Sequence, residues 1–439
     1  MRKESGACWS EEQIEEAGWM KAFVFTEKGK IEQRELPEPQ LCGQTEAGRR
    51  AAILRPRFLS PCSSDVHTVY AGAGPRRSDL VLGHEGLAEV VAVGSAVQDF
   101  HPGELAAVSA VMPDAADGTG HEGDPFTGTK LGRNINGMWA EYFLVPDADQ
   151  NLAHLPADIS MEAALMCTDM LPTGFTAAEG AFISPGQTAV VLGTGAVGLM
   201  AVSAARILGA SHIIAVGSAR RPLCTKLAMD FGAELVLSYQ DGRVLAMRDG
   251  TTSEKPGGSN EAAEALCGSR AEGSVSSSAP GTGSLQYDKA QQEAAHAARS
   301  PLANAAKNPA VDRILDLTVN AGADAVLICG GGKRSLLEAS DLVRYGTGIA
   351  VNVEYIEGQG TVELPIFSLG RGMAGKTFRF LLSRGGRSFT ERMLQYAAKG
   401  DAAPERLVTH HLKGFDKIPE ALELMREKPG DLIKVMLEI

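Results

Sequence analysis

The chain has 439 residues, too many for one ordinary core, so two or more domains are expected. Its 44% hydrophobic and 22% charged residues are those of a globular chain, and 50 glycines suit an α/β protein rich in tight turns. The net charge of −12 argues against nucleic acid or an anionic membrane as partner. No apolar run reaches the roughly 18–20 residues that span a bilayer.

The Glu-rich start lacks the apolar stretch of a secretory signal and the character of a mitochondrial transit peptide. The seven scattered cysteines do not read as a disulfide framework. A reducing cytoplasm is the expected compartment. Residues 1–19 read as an extension, and MKAFVFTEKGKIEQREL starts afresh with strand-like segments. From there to about residue 150 the chain is turn-rich, with the short β runs AAILRP, AEVVAVGSAV and AEYFLV, which predicts a twisted β-rich domain. MEAALMCTDMLPTGFTAAEGAF is helical in period. A buried strand, TAVVLG, a helix, AVGLMAVSAARILGA, and a second strand, HIIAVG, then make a βαβ unit. A low-complexity insertion follows at about 243–300, too poor in apolar side chains to offset its ordering entropy. The Ala-rich stretch ending NPAVDRIL reads as partly helical. Strand-like runs resume at ADAVLICGGG and GTGIAVNVEY, and the tail returns to mixed α/β.

Gly193, Gly195 and Gly198 form G-x-G-x-x-G directly after a strand and at the start of a helix. That context predicts a dinucleotide pyrophosphate resting on the helix N-terminus. The second strand ends in Gly217-Ser218-Ala219-Arg220-Arg221, with no Asp or Glu to take a ribose 2′-hydroxyl. A hydroxyl and a guanidinium suit a 2′-phosphate instead, so NADP is the expected cofactor.

Cys62 opens the run Cys62-Ser63-Ser64-Asp65-Val66-His67. Gly83-His84-Glu85-Gly86 and Thr168-Asp169-Met170 follow further on. Cys, His, Asp and Glu are all zinc ligands, and three of them with one open position make a catalytic site. Spacing alone does not bring residues so far apart together. Taken singly, each has an ordinary structural use.

These residues carry a resemblance. SPCSSDVHTV, LGHEGLAEVVAVGSAVQDFHPGE, TDMLPTGF, GAVGLMAVSAARILGA, IIAVGS and LVTHHLKGFDKIPEALELM…DLIK resemble the zinc-containing medium-chain alcohol dehydrogenases. They are most similar to the bacterial-type NADP-dependent secondary-alcohol group. The likeness runs from about Met20 to Ile439, outside the insertion. It implies an α/β architecture. A GroES-like β-rich catalytic domain at 20–172 and 371–439 would be split by a Rossmann doubly wound parallel-sheet domain at 173–370.

The resemblance implies Cys62, His84 and Asp169 as ligands of one catalytic zinc, with Glu85 an exchangeable neighbour. Cys167 lies two residues from Asp169 and points elsewhere if both are on a helix. Ser64 and His67 match the proton relay, and Asp65 lies in the same catalytic run. Around NADP(H), the resemblance implies Gly193, Thr194, Gly195, Ala196, Val197 and Gly198. It adds Gly217, Ser218, either Arg220 or Arg221, Tyr239, Val353, Tyr355 and Lys434. The implied reaction moves a hydride between NADP(H) and a small alcohol, ketone or aldehyde, in a homotetramer. Alternatives are a polyol or amino-alcohol dehydrogenase, or a catalytically silent NADPH-binding relative.

The chain departs from the group's pattern at Ala115 and Arg371, where Trp and a small Cys are usual. Either the substrate pocket is altered, or Arg371 simply faces solvent. No cysteine lies between Cys62 and Cys167, so a second, structural zinc is not expected.

Overall fold

The computed structural model describes residues 18–43, 45–71, 79–113, 129–248, 308–356 and 361–439, with backbone alone at 129 and 130. Ala115, the expected insertion from residue 249 onward and all but the last two residues of the expected extension lie outside them. The chain divides into two units. One runs to Thr176 and adds Tyr355–Gln359 and Leu382–Ile439. The other holds Ala177–Glu354 and Gly360–Leu381.

The first unit is β-rich. Trp19–Glu27 and Lys30–Pro37 form an antiparallel hairpin, joined by Leu80–Val81. Among the described residues, a larger sheet runs in the order Leu152–His154, Leu105–Val108, Glu85–Val93, Ala52–Ser60, Lys434–Glu438, Val408–Lys413. Phe143–Val145 also pairs with Ala52–Ser60. Register decides what gathers at one end of this sheet. Ser60 pairs with Glu85, and Leu59 with Leu437. The end of Ala52–Ser60 therefore lies beside the start of Glu85–Val93 and the end of Lys434–Glu438, and Lys434 itself reaches past Ser60 to Pro61. Beneath them Trp139, Phe100, Phe143, Leu54 and Leu59 are almost fully buried in one apolar cluster.

The second unit is a doubly wound sheet. Its order is Val244–Met247, Leu235–Ser238, His212–Gly217, Thr188–Leu192, Ala325–Ile328, Ile349–Asn352, Thr377–Phe380. The last six are parallel. Thr188–Leu192 sits in the middle and is buried along its length, as its Val-rich run requires. Chain order reverses between it and Ala325–Ile328, which is where open α/β sheets bind ligands. Two glycines of the fingerprint are conformationally required. Gly193 has φ 96°, and a Cβ on Gly198 would overlap the Gly193 carbonyl.

Two sequence expectations change. The helical stretch after residue 160 is two helices, Met161–Met166 and Met170–Gly180, separated by a turn at 167–169. The expected insertion begins with an ordered strand, Val244–Met247, antiparallel to Leu235–Ser238. Its Val-Leu-Ala-Met run is apolar, unlike the low-complexity sequence further on, and the edge of Leu235–Ser238 supplies its hydrogen-bonding partners.

Candidate active site

Four donors converge in the first unit. One ligand atom each from Cys62, His84, Glu85 and Asp169 lies within 4.8 Å of the others. Cys62 is the N-cap of the helix Ser63–Tyr70, two residues beyond Ala52–Ser60. His84 and Glu85 stand at the start of Glu85–Val93. Asp169 occupies the turn between the two helices and does not share a helix with Cys167. Cys167 caps the preceding helix, is fully buried and is absent from the cluster. Burial pushes its thiol well above the ordinary range.

The donors are held individually. Asp169 Oδ2 lies 3.9 Å from Cys62 Sγ and 3.5 Å from His84 Nε2. The Thr173 hydroxyl donates to Asp169 Oδ1 at 3.1 Å. Asp65 caps the helix start through the Cys62 N–H at 2.8 Å and places Oδ1 3.2 Å from His84 Nδ1. That contact turns His84 Nε2 toward the cluster. Lys434 Nζ donates to Glu85 Oε1 and to the Pro61 carbonyl, both at 2.8 Å.

Burial pushes the Glu85 carboxyl upward against the pull of Lys434, and Asp169 adds to the rise. Burial also opposes the charge on Lys434, but Glu85, Cys62 and Asp169 outweigh it, so that ammonium titrates above its usual range.

This cluster suits a zinc ion. Sulfur, imidazole nitrogen and carboxylate oxygen form a recognised zinc donor set. Among the described residues Glu85 Oε2 is buried without a hydrogen-bond partner, while Lys434 pairs with the other oxygen of the same carboxylate. A divalent cation offsets the cost of burying so many acceptors.

The relay candidates lie on the same helix. Ser64 Oγ is 3.3 Å from His84 Nε2. His67 stacks against Tyr355 with ring centroids 6.3 Å apart. Burial, and secondarily Lys428, hold its imidazole below the ordinary value.

The second unit has a cavity of about 390 Å³ at the C-terminal ends of its central strands. Gly193, Thr194, Gly195, Gly217, Ser218, Arg221 and Tyr239 line it. Ala196, Val197 and Gly198 form the first turn of the helix behind that loop and do not line it. Arg220, Val353, Tyr355 and Lys434 are not in its lining either. Lys434 belongs to the donor cluster and Tyr355 to the His67 stack. Arg221 is the N-cap of the helix Pro222–Phe231 and faces the cavity, which separates it from Arg220. Arg371 is exposed, with its guanidinium 5.6 Å from the Phe367 ring centroid.

Sequence reasoning overlooked Gly330, Gly331, Arg334, Ser335 and Glu338, which also line the cavity. The signal available was a glycine run between a strand and a helix.

A cavity at the glycine loop and a four-donor cluster with three buried members, both in one chain, define a dehydrogenase architecture. The family model described as "Alcohol dehydrogenase GroES-like domain" matches residues 48–157. The NADP-dependent isopropanol dehydrogenase of Thermoanaerobacter brockii is 37% identical, over 94% of this chain and 98% of its own. The enzyme of the same description from Clostridium beijerinckii is 36% identical over 89% and 93%. The structure of an alcohol dehydrogenase from Thermus sp. ATN1 superposes with a TM-score of 0.67 at 26% identity, covering 95% of this chain and 99% of that one. The chain belongs to the zinc-containing medium-chain alcohol dehydrogenase family.

Proposed function

We propose that this protein is an NADP(H)-dependent alcohol dehydrogenase acting on small secondary alcohols and the corresponding ketones, with aldehydes as further substrates. The observation that carries this is the cluster of half-buried Cys62 with buried His84, Glu85 and Asp169. Cys62, His84 and Asp169 would hold one zinc per chain, with Glu85 held back by Lys434 as an exchangeable fourth donor. Bound zinc supplies a Lewis acid that polarises a carbonyl and lowers an alcohol's pKa. Bound NADP(H) supplies or accepts the hydride.

The chain's own side chains do the rest. Asp65 fixes His84 from behind. The Ser64 hydroxyl, beside the donors, takes the proton leaving the alcohol and hands it outward toward His67. A serine is too weak a base to hold that proton, so the neutral imidazole of His67 is the natural next acceptor. Gly193, Thr194 and Gly195 cradle the pyrophosphate, while Ser218 and Arg221 bind the 2′-phosphate with charge-assisted hydrogen bonds. We further assign a homotetrameric, cytoplasmic enzyme, a reading supported by the family alone.

The test is NADPH oxidation across small ketones, aldehydes, polyol-derived ketoses and keto acids, together with metal content. Fastest turnover of small ketones, abolished by a chelator and restored by zinc, is expected. A preference for polyol or amino-alcohol substrates would move the enzyme to another branch of the family. NADPH binding without zinc or turnover would make it a silent relative.

A further inference from the structure

The nucleotide cavity has a wall that the glycine fingerprint does not explain. The helix Lys333–Leu342 follows the strand Ala325–Ile328; Arg334, Ser335 and Glu338 line the cavity from it, and Gly331 from the turn before it. Arg334 and Ser335 stand four and three positions before Glu338, so both neighbour it on the helix surface. Ser218, Arg221 and Tyr239 line the cavity from the His212–Gly217 side. The strand Thr188–Leu192 lies between those two strands in the sheet. A nucleotide whose ribose is held at the end of His212–Gly217 therefore carries its base above Thr188–Leu192, between these two walls.

Arg334 is held in place. Its Nε donates to Glu338 Oε1 at 2.8 Å, one helical turn on, and Asn308 Nδ2 donates to the same oxygen at 2.7 Å. Glu338 and Asn308 are buried, and Asn308 is fixed in turn by accepting the Ala310 N–H at 3.0 Å. The Arg334 side chain remains 48% exposed. A buried carboxylate, anchored by a buried amide, thus holds a half-exposed guanidinium on the cavity wall.

Pairing through Nε orients the guanidinium plane. The carboxylate at 2.8 Å also compensates its charge, which weakens Arg334 as an anion ligand. What remains is a flat, weakly hydrated cation, a group that stacks well on a purine. Arg221, on the opposite wall, is left with the phosphate.

The geometry points to Arg334 as an adenine-stacking residue of the cofactor pocket, positioned by Glu338 and Asn308. This rests on the reading that the cavity takes NADP(H), and deepens it.

The test is fluorescence titration of NADPH and NADH on the full-length protein, with AMP as a competitor. Arg334→Ala is expected to weaken all three by a common factor of roughly fivefold. Arg334→Lys should not restore binding, because an ammonium lacks the flat face. Asn308→Ala, which removes the anchor of Glu338, should give a smaller loss with the same pattern across the three ligands. Arg221→Ala should instead strike NADPH far harder than NADH or AMP. Unchanged binding in Arg334→Ala, alongside a loss in Arg221→Ala, would overturn the assignment while leaving the pocket intact. A loss confined to NADPH would also overturn it, by placing the guanidinium on the 2′-phosphate. Wild-type protein that binds none of the three would sink the cofactor reading itself, and this inference with it.

Discussion

Asp65 Oδ1 lies 3.2 Å from His84 Nδ1, while the other oxygen of the same carboxylate accepts the Cys62 N–H at 2.8 Å. One buried side chain therefore orients a donor on the helix Ser63–Tyr70 and a donor on the neighbouring strand. Asp65→Asn keeps the size but offers His84 an amide in place of an anion. Groups behind metal ligands are typically worth about 10–100-fold in metal affinity. The expected outcome is a loss of zinc affinity in that range, read by competition with a chromophoric chelator, with little change in NADPH binding.

Glu85 and Lys434 form an ion pair that is almost completely buried. Breaking such a pair from one side leaves an uncompensated charge and costs about 3–5 kcal/mol. Lys434→Met should therefore lower the unfolding free energy of the metal-free protein by that order. Adding Glu85→Gln should recover most of the loss. Denaturant unfolding of the single and double variants measures both.

His67 carries a pH dependence with a definite sign. Burial, then Lys428, depress its folded-state pKa below the ordinary value of 6.5. Below that value the unfolded chain binds more protons than the folded one, so this group makes stability rise with pH. Its penalty appears as pH falls through 6.5 and is absent well above it. His67→Gln should flatten that part of the stability curve. It should also reduce alcohol oxidation on the order of 10²-fold, the low end for a positioned proton-transfer group. An unaltered pH–rate profile would leave His67 outside the relay.

Ser218 and Arg221 face the same cavity as the glycine loop. Replacing both with Ala should raise the KM for NADPH by at least about tenfold and leave that for NADH nearly unchanged. A charge-assisted hydrogen bond contributes about 1.5–3 kcal/mol, and only the phosphorylated cofactor makes it. Steady-state kinetics with both cofactors gives the ratio directly.

How much of this could be read from sequence differs by site. The glycine loop was legible because strand, turn and helix adjoin, and each glycine answers a local steric demand. The donor cluster was not legible from spacing, since Cys62 and Asp169 are brought together by sheet register and an interhelical turn. Family motifs, not chemistry, singled them out. The resemblance alone puts Lys434 among the cofactor residues, and nothing local marks its pairing with Glu85, 349 positions away. Nothing in the sequence marks Arg334 and Glu338, one helical turn apart, as cavity residues. The strand Val244–Met247 is a four-residue apolar run that falls within the span read as insertion, and a run so short carries little period of its own.

The central claim is that Cys62, His84 and Asp169 share one ion. Elemental analysis of purified protein, beside Cys62→Ser and Asp169→Ala, tests it most directly. About one zinc per chain is expected in the wild type. Loss of that zinc, together with turnover, is expected in both variants, with NADPH binding retained. Wild-type protein without stoichiometric zinc, or variants that keep it, would contradict the account.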